Sequence, residues 1–131
     1  MRLPPYAELL GLTVEQGEDD VPQLVMPFGD DVIGRPGFLH GGAIGGLLEM
    51  AGVAALMHAL AEDAGGTRIK PINVTVDYVR GGRDKPTRGR GTVTRLGARV
   101  ANVVARAWQD DAERPIAEAR MTYLLVRPRA D

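Results

Sequence analysis

Gly41-Gly42-Ala43-Ile44-Gly45-Gly46-Leu47-Leu48-Glu49-Met50-Ala51-Gly52-Val53-Ala54-Ala55-Leu56-Met57 is a run of seventeen residues in which Glu49 carries the only ionisable side chain. Wound as a helix, its Ile44, Leu47, Leu48, Met50, Val53, Leu56 and Met57 cover nearly the whole circumference rather than one stripe. A helix that is apolar all round has to be buried all round. The same reading carries the helix on to about Ala64, where Gly65-Gly66 supplies the stop. Its length also suits a membrane span, but a mid-span carboxylate is costly in lipid, and five glycines stand between Gly41 and Ala61. The expectation is the core helix of a globular domain.

What covers that helix has to come from the rest of the chain, which reads as strands. Upstream, Tyr6 to Leu10 suits a short helix after two prolines, and Leu12 to Gln16 a strand. Glu18-Asp19-Asp20 is a turn, Val21 to Met26 a returning strand, and Pro27 to Leu39 a loop dense in glycine, proline and aspartate. Downstream, Ile72, Val74, Val76 and Tyr78 alternate with Asn73, Thr75 and Asp77, the period of a half-buried antiparallel strand. Arg88 to Leu96, Val100 to Trp108 and Ile116 to Arg127 follow, separated by turn signals. In the last two, Ala101, Val103, Ala105, Ala107 and Ala117, Ala119, Met121, Tyr123, Leu125 form inner faces small enough for a helix to approach closely. The architecture is α+β, a curved antiparallel sheet wrapped around one long helix, in a single domain over residues 1–131.

Composition narrows the function. Sixteen Lys and Arg against seventeen Asp and Glu leave a net charge of -1, so no overall field draws the protein to nucleic acid or an anionic membrane. There is no cysteine, which removes disulfides, thiolate zinc sites and a cysteine nucleophile, and two histidines are too few for a histidine-rich metal site. Met1 to Tyr6 has no apolar stretch of the kind a secretory signal needs, so the cytoplasm is the expected location.

Chemistry concentrates at the start of the helix. Burying a lone carboxylate costs several kcal/mol, so Glu49 is paired with an arginine, exposed at a gap, or held protonated. Phe38-Leu39-His40-Gly41-Gly42 places unpaired backbone N–H groups beside a histidine at a helix N-terminus, which is what an oxyanion hole requires. Glu49, however, lies eight residues after Gly41, roughly 12 Å along the axis, too far for both to touch one carbonyl. Two antiparallel copies of the helix would bring Gly41 of one subunit opposite Glu49 of the other, with Gly42, Gly45 and Gly46 easing the approach.

The run Gly37-Phe38-Leu39-His40-Gly41-Gly42 with Glu49 nine residues after the histidine, and the later Asp77-Tyr78-Val79-Arg80, resembles the hotdog-fold acyl-CoA thioesterases of the 4-hydroxybenzoyl-CoA thioesterase superfamily, on the branch that includes the phenylacetate-pathway enzymes. The resemblance implies hydrolysis of an acyl-CoA thioester by a homodimer or homotetramer, without metal or cofactor. It implies Glu49 as nucleophile or general base, the Gly41 amide as oxyanion hole, and His40 as the residue that orients loop or substrate. Phe38 and Leu39 would line the acyl pocket and Gly42 would let substrate close to the backbone.

Arg80, Arg83, Lys85 and Arg88 lie in a basic stretch that is ordinarily a solvated edge. The resemblance gives it a second use, holding the phosphates of coenzyme A, with Arg99 a further candidate. Two positions depart from the family pattern. Gly34 stands where many relatives have asparagine, and Pro71 lies near where many have serine or threonine; Asn73, Asp31 and Arg35 are the candidate substitutes. His58, Trp108, Tyr123 and Met121 read as structural. The competing functions are a module that binds acyl-CoA without cleaving it and, less compatible with the spacing of His40 and Glu49, a hydratase or dehydratase.

Overall fold

The computed structural model describes residues 2–17, 19–61 and 66–128. Helix α1 (Tyr6–Leu9) precedes strands β1 (Thr13–Gln16) and β2 (Pro22–Met26), a 3-10 turn (Asp30–Val32), helix α2 (Gly41–Ala59), and strands β3 (Arg68–Tyr78), β4 (Thr87–Leu96), β5 (Val100–Trp108) and β6 (Ala117–Val126). The six strands form one antiparallel sheet in the order β1-β2-β4-β5-β6-β3, with α2 against its inner face. The expected α+β hotdog architecture is what the chain adopts.

Burial explains the arrangement. Leu47, Leu48, Ala51, Ala54 and Leu56 on α2 are fully buried, as are Leu24, Met26, Ala101, Ala107 and Ala117 on the sheet. Each large aliphatic side chain so placed contributes about 1.5–3 kcal/mol over leaving it in water. Although α2 is long and apolar enough to cross a membrane, 67% of that stretch is buried inside the fold, which marks it as a core helix. The inner faces expected on β5 and β6 are all buried. Contact between helix and sheet is closest at β4, where a Cβ on Gly91 would stand 2.6 Å from the Ala51 carbonyl oxygen, and one on Gly89 2.9 Å from Leu47 Cγ.

Several local expectations are corrected. Helix α2 ends at Ala59, where Leu60 N–H bonds to the Leu56 carbonyl at 2.9 Å and its side chain turns into the core, and the expected extension to Ala64 runs into residues outside those described. Gly65 lies outside the described residues. On β3 the register shifts between Pro71 and Asn73, so Ile69, Pro71, Val74, Val76 and Tyr78 share the inner face and Ile72 falls on the bulge, 57% exposed. A proline fits there because β3 is an edge strand, paired only with β6. Gly46 serves α1, not a second α2, since a Cβ there would lie 2.8 Å from Tyr6 Cε2 and 2.9 Å from Leu10 Cδ1. Trp108 is half-buried opposite Arg88 on the outer face, outside the buried core.

Candidate active site

The loop before α2 is held on both sides. Leu39 N–H donates to the Gly82 carbonyl (2.9 Å), His40 N–H to Val32 (2.8 Å), and Gly34 N–H to Phe38 (3.0 Å). These bonds leave His40 in extended conformation as the N-cap of α2, with its Nδ1 accepting from Gly42 N–H at 2.8 Å. The imidazole is therefore the tautomer with Nδ1 unprotonated. Among the described residues Gly41 N–H has no hydrogen-bond partner, so of the two glycine amides only Gly41 is free to bind a ligand oxygen.

The position of Gly34 has a steric reason. A Cβ there would be 3.0 Å from His40 Cα and 3.2 Å from His40 N, so the loop closes on backbone that a longer residue would displace. Pro71 offers no hydroxyl, and among the described residues none of the three candidate substitutes bonds to Glu49 of the same chain. Asn73 pairs with Thr122 on the outer face, Asp31 is exposed on the 3-10 turn, and Arg35 lies on Phe38.

Glu49 is half-buried, and among the described residues it makes no hydrogen bond or ion pair and no arginine caps it. Burial pushes the neighbouring Tyr123 phenol up, with the charge of Glu49 as the second cause. Gly41, Gly45 and Glu49 follow at intervals of four, each partly exposed, and continue through Val53 to Met57. The first three form a partly exposed stripe on the N-terminal half of α2, whereas Val53 is buried and Met57 packs against the core. Tyr78, at the end of β3, lies over the start of the stripe and donates from Oη to the Gly41 carbonyl at 2.8 Å.

The basic stretch divides. Arg80, Arg83 and Lys85 line one hollow of about 430 Å³ together with Gln109 and Arg114. Arg88 instead pairs with Glu15 (2.7 Å) on the outer face, which holds the Glu15 carboxyl below its usual range. Lys85 is paired as well, its Nζ 2.7 Å from Asp110 Oδ1 at the rim of the hollow, so what sets Arg88 apart is its place on the outer face of the sheet. Phe38 carries the guanidinium groups of Arg35 and Arg83 at 4.2 and 4.3 Å from its ring centroid, and Leu39 is buried in the core. Phe38 thus organises a cationic corner, and the buried Leu39 anchors the loop. Arg35 and Gln109 were not legible as parts of this corner. The Pro36-Gly37 turn that folds Arg35 back over Phe38 is a signal for the first. For Gln109, whose side chain meets Arg83, Lys85 and Thr87, there is none.

Residues 36–116, more than half of the chain, match the family model for the thioesterase superfamily. Among solved structures, a Ralstonia eutropha protein described as related to phenylacetic acid degradation shares 22% identity, with 95% of this chain and 92% of that one covered and a TM-score of 0.80. A Chromobacterium violaceum protein shares 32% identity over 93% of this chain and 83% of its own, with a TM-score of 0.73. A Bacillus halodurans protein whose structure contains CoA shares 20% identity over 96% and 81%, with a TM-score of 0.77. No curated protein matches the chain.

Proposed function

The chain belongs to the thioesterase superfamily, and on that premise we propose that it hydrolyses acyl-CoA thioesters, with Gly41 of one subunit and Glu49 of a second copy completing each site. The observation that carries this reading is that one partly exposed stripe of α2 presents both an amide N–H and a carboxylate with no partner among the described residues. Glu49, acting as general base, takes a proton from water as its oxygen bonds to the thioester carbonyl carbon. The tetrahedral oxyanion rests on Gly41 N–H. Its collapse breaks the C–S bond, and the proton passes to the departing thiolate, leaving a carboxylic acid and free CoA. Direct attack by the carboxylate is the alternative use of the same residue, and single-turnover hydrolysis in ¹⁸O-water distinguishes the two. Neither route asks for a metal or a cofactor, and a CoA-thioester substrate suits a cytoplasmic protein.

The unpaired edge of β3 supports the second copy, since Ile72, Val74, Tyr78 and Val79 on and just beyond it are 38–57% exposed, more apolar surface than an edge facing water usually carries. Twofold symmetry then gives two identical sites per dimer. In this reading Arg80, Arg83 and Arg35 hold the phosphates of coenzyme A, and Lys85 adds to them by exchanging its Asp110 partner for phosphate.

A second reading, binding without cleavage, draws on Gly34 and Pro71, which bring no polar side chain where many relatives have one. Incubation with aryl and aliphatic acyl-CoAs and a thiol reagent separates the two. Release of thiol by the wild type, abolished in Glu49→Ala without loss of fold, is the expected result. Tight binding with no release favours the binder, and unchanged turnover in Glu49→Ala rejects the assignment of Glu49.

A further inference from the structure

Both ends of a single peptide unit at the start of α2 are held by side chains. The carbonyl of Gly41 accepts from Tyr78 Oη at 2.8 Å, and the N–H of the next residue, Gly42, donates to His40 Nδ1 at 2.8 Å. Oη–H, C=O, N–H and Nδ1 thus form one continuous hydrogen-bonded chain across the Gly41–Gly42 peptide, in which each bond polarises the next. The helix alone does not need this. In the α-helical pattern the Gly41 carbonyl already accepts from Gly45 N–H, so the phenol is an added partner.

The ring is seated against the first turn. A Cβ on Gly41 would be 3.5 Å from Tyr78 Cε1 and Cζ, and one on Gly45 3.4 Å from Oη, both ordinary contact distances. Tyr78 is 55% exposed, so burial does not account for a tyrosine here, and phenylalanine would make the same ring contacts.

We propose that Tyr78 is a positioning residue which, together with His40, clamps the Gly41–Gly42 peptide and so fixes the direction of the adjoining Gly41 N–H. The first turn of a helix otherwise frays, and the free donor swings with it. The kinetic consequence rests on the hydrolytic reading above; the clamp itself does not.

Tyr78→Phe keeps the ring and removes the donor. Loss of an oxyanion donor outright costs about 10²–10³ in kcat. Loosening one is expected to cost about tenfold, with KM and melting temperature near wild type. In ¹⁵N-labelled protein the Gly42 amide is expected to shift and to exchange its hydrogen several-fold faster, with a change in the His40 ring nitrogen shifts. Wild-type exchange and shifts at Gly42 overturn the clamp, whatever happens to turnover. Perturbed Gly42 with unchanged kcat overturns its catalytic use. A wild type that hydrolyses no acyl-CoA defeats the hydrolytic reading, and the exchange measurement still decides the clamp.

Discussion

Replacing Gly91 by alanine puts a methyl group where α2 lies closest to the sheet. The new Cβ would meet the Ala51 carbonyl oxygen at 2.6 Å and both Ala55 Cβ and Gly52 Cα at 2.9 Å. Ordinary contact begins near 3.4 Å, so helix and strand must separate by several tenths of an ångström, and two of the three obstructing atoms are backbone, which cannot rotate away. Overpacking of this kind costs about 1–3 kcal/mol, against which the lower chain entropy of unfolded alanine returns about 0.4–1 kcal/mol. The net expectation is a loss of about 1–2 kcal/mol, which for a domain of this size lowers the melting temperature by roughly 4–8 °C. Urea denaturation with an unchanged m-value is the assay. Gly29→Ala is the control, since nothing lies within 4 Å of its Cβ position, and it should fall within about 0.5 kcal/mol of wild type. A Gly91→Ala variant as stable as wild type would refute the claim that helix and strand pack in direct contact there.

Removing the N-cap acceptor in His40→Ala should cost about 1 kcal/mol of stability, whereas His40→Asn, a residue that also caps well, should recover most of it in thermal melts. Arg83→Ala and Arg35→Ala should raise KM for CoA thioesters several-fold with little change in kcat, and the difference from wild type should shrink with added salt. The raised Tyr123 phenol also sets a pH dependence. Above about pH 10 the unfolded phenol loses its proton while the buried one keeps it, so the native state binds more protons and stability falls as pH rises. Tyr123→Phe should flatten that fall in urea midpoints taken between pH 8 and 11, and a fall of equal steepness in the variant would show that Tyr123 does not cause it.

The inner faces of β5 and β6 were legible because an apolar residue stands at every second position from Ala101 to Ala107 and from Ala117 to Leu125. Helix α2 was legible for its lack of charge. Other features depend on partners that no local pattern announces. The bulge at Ile72 resets the face of β3 only through pairing with β6, and Gly46 is committed to Tyr6 and Leu10, some forty residues away. Of the candidate site, His40, Gly41 and Glu49 stand out by residue type and spacing. The clustering of Arg80, Arg83 and Lys85 away from Arg88 does not, because the first three lie on the loop between β3 and β4, whose path depends on its contacts with Gln109 and Ile116, whereas Arg88 is on the outer face of β4.

The two guanidinium groups on Phe38 are like charges held on one ring, within about 9 Å of each other, which in surroundings between bulk water and a protein surface amounts to about 0.5–2 kcal/mol of repulsion. Neither is in an ion pair among the described residues. The corner thus stores like-charge repulsion that a bound polyanion relaxes, so binding there stabilises the fold as well as the complex. Simple phosphate should accordingly raise the protein's melting temperature more than chloride of equal ionic strength, giving a readout of the corner that requires no turnover.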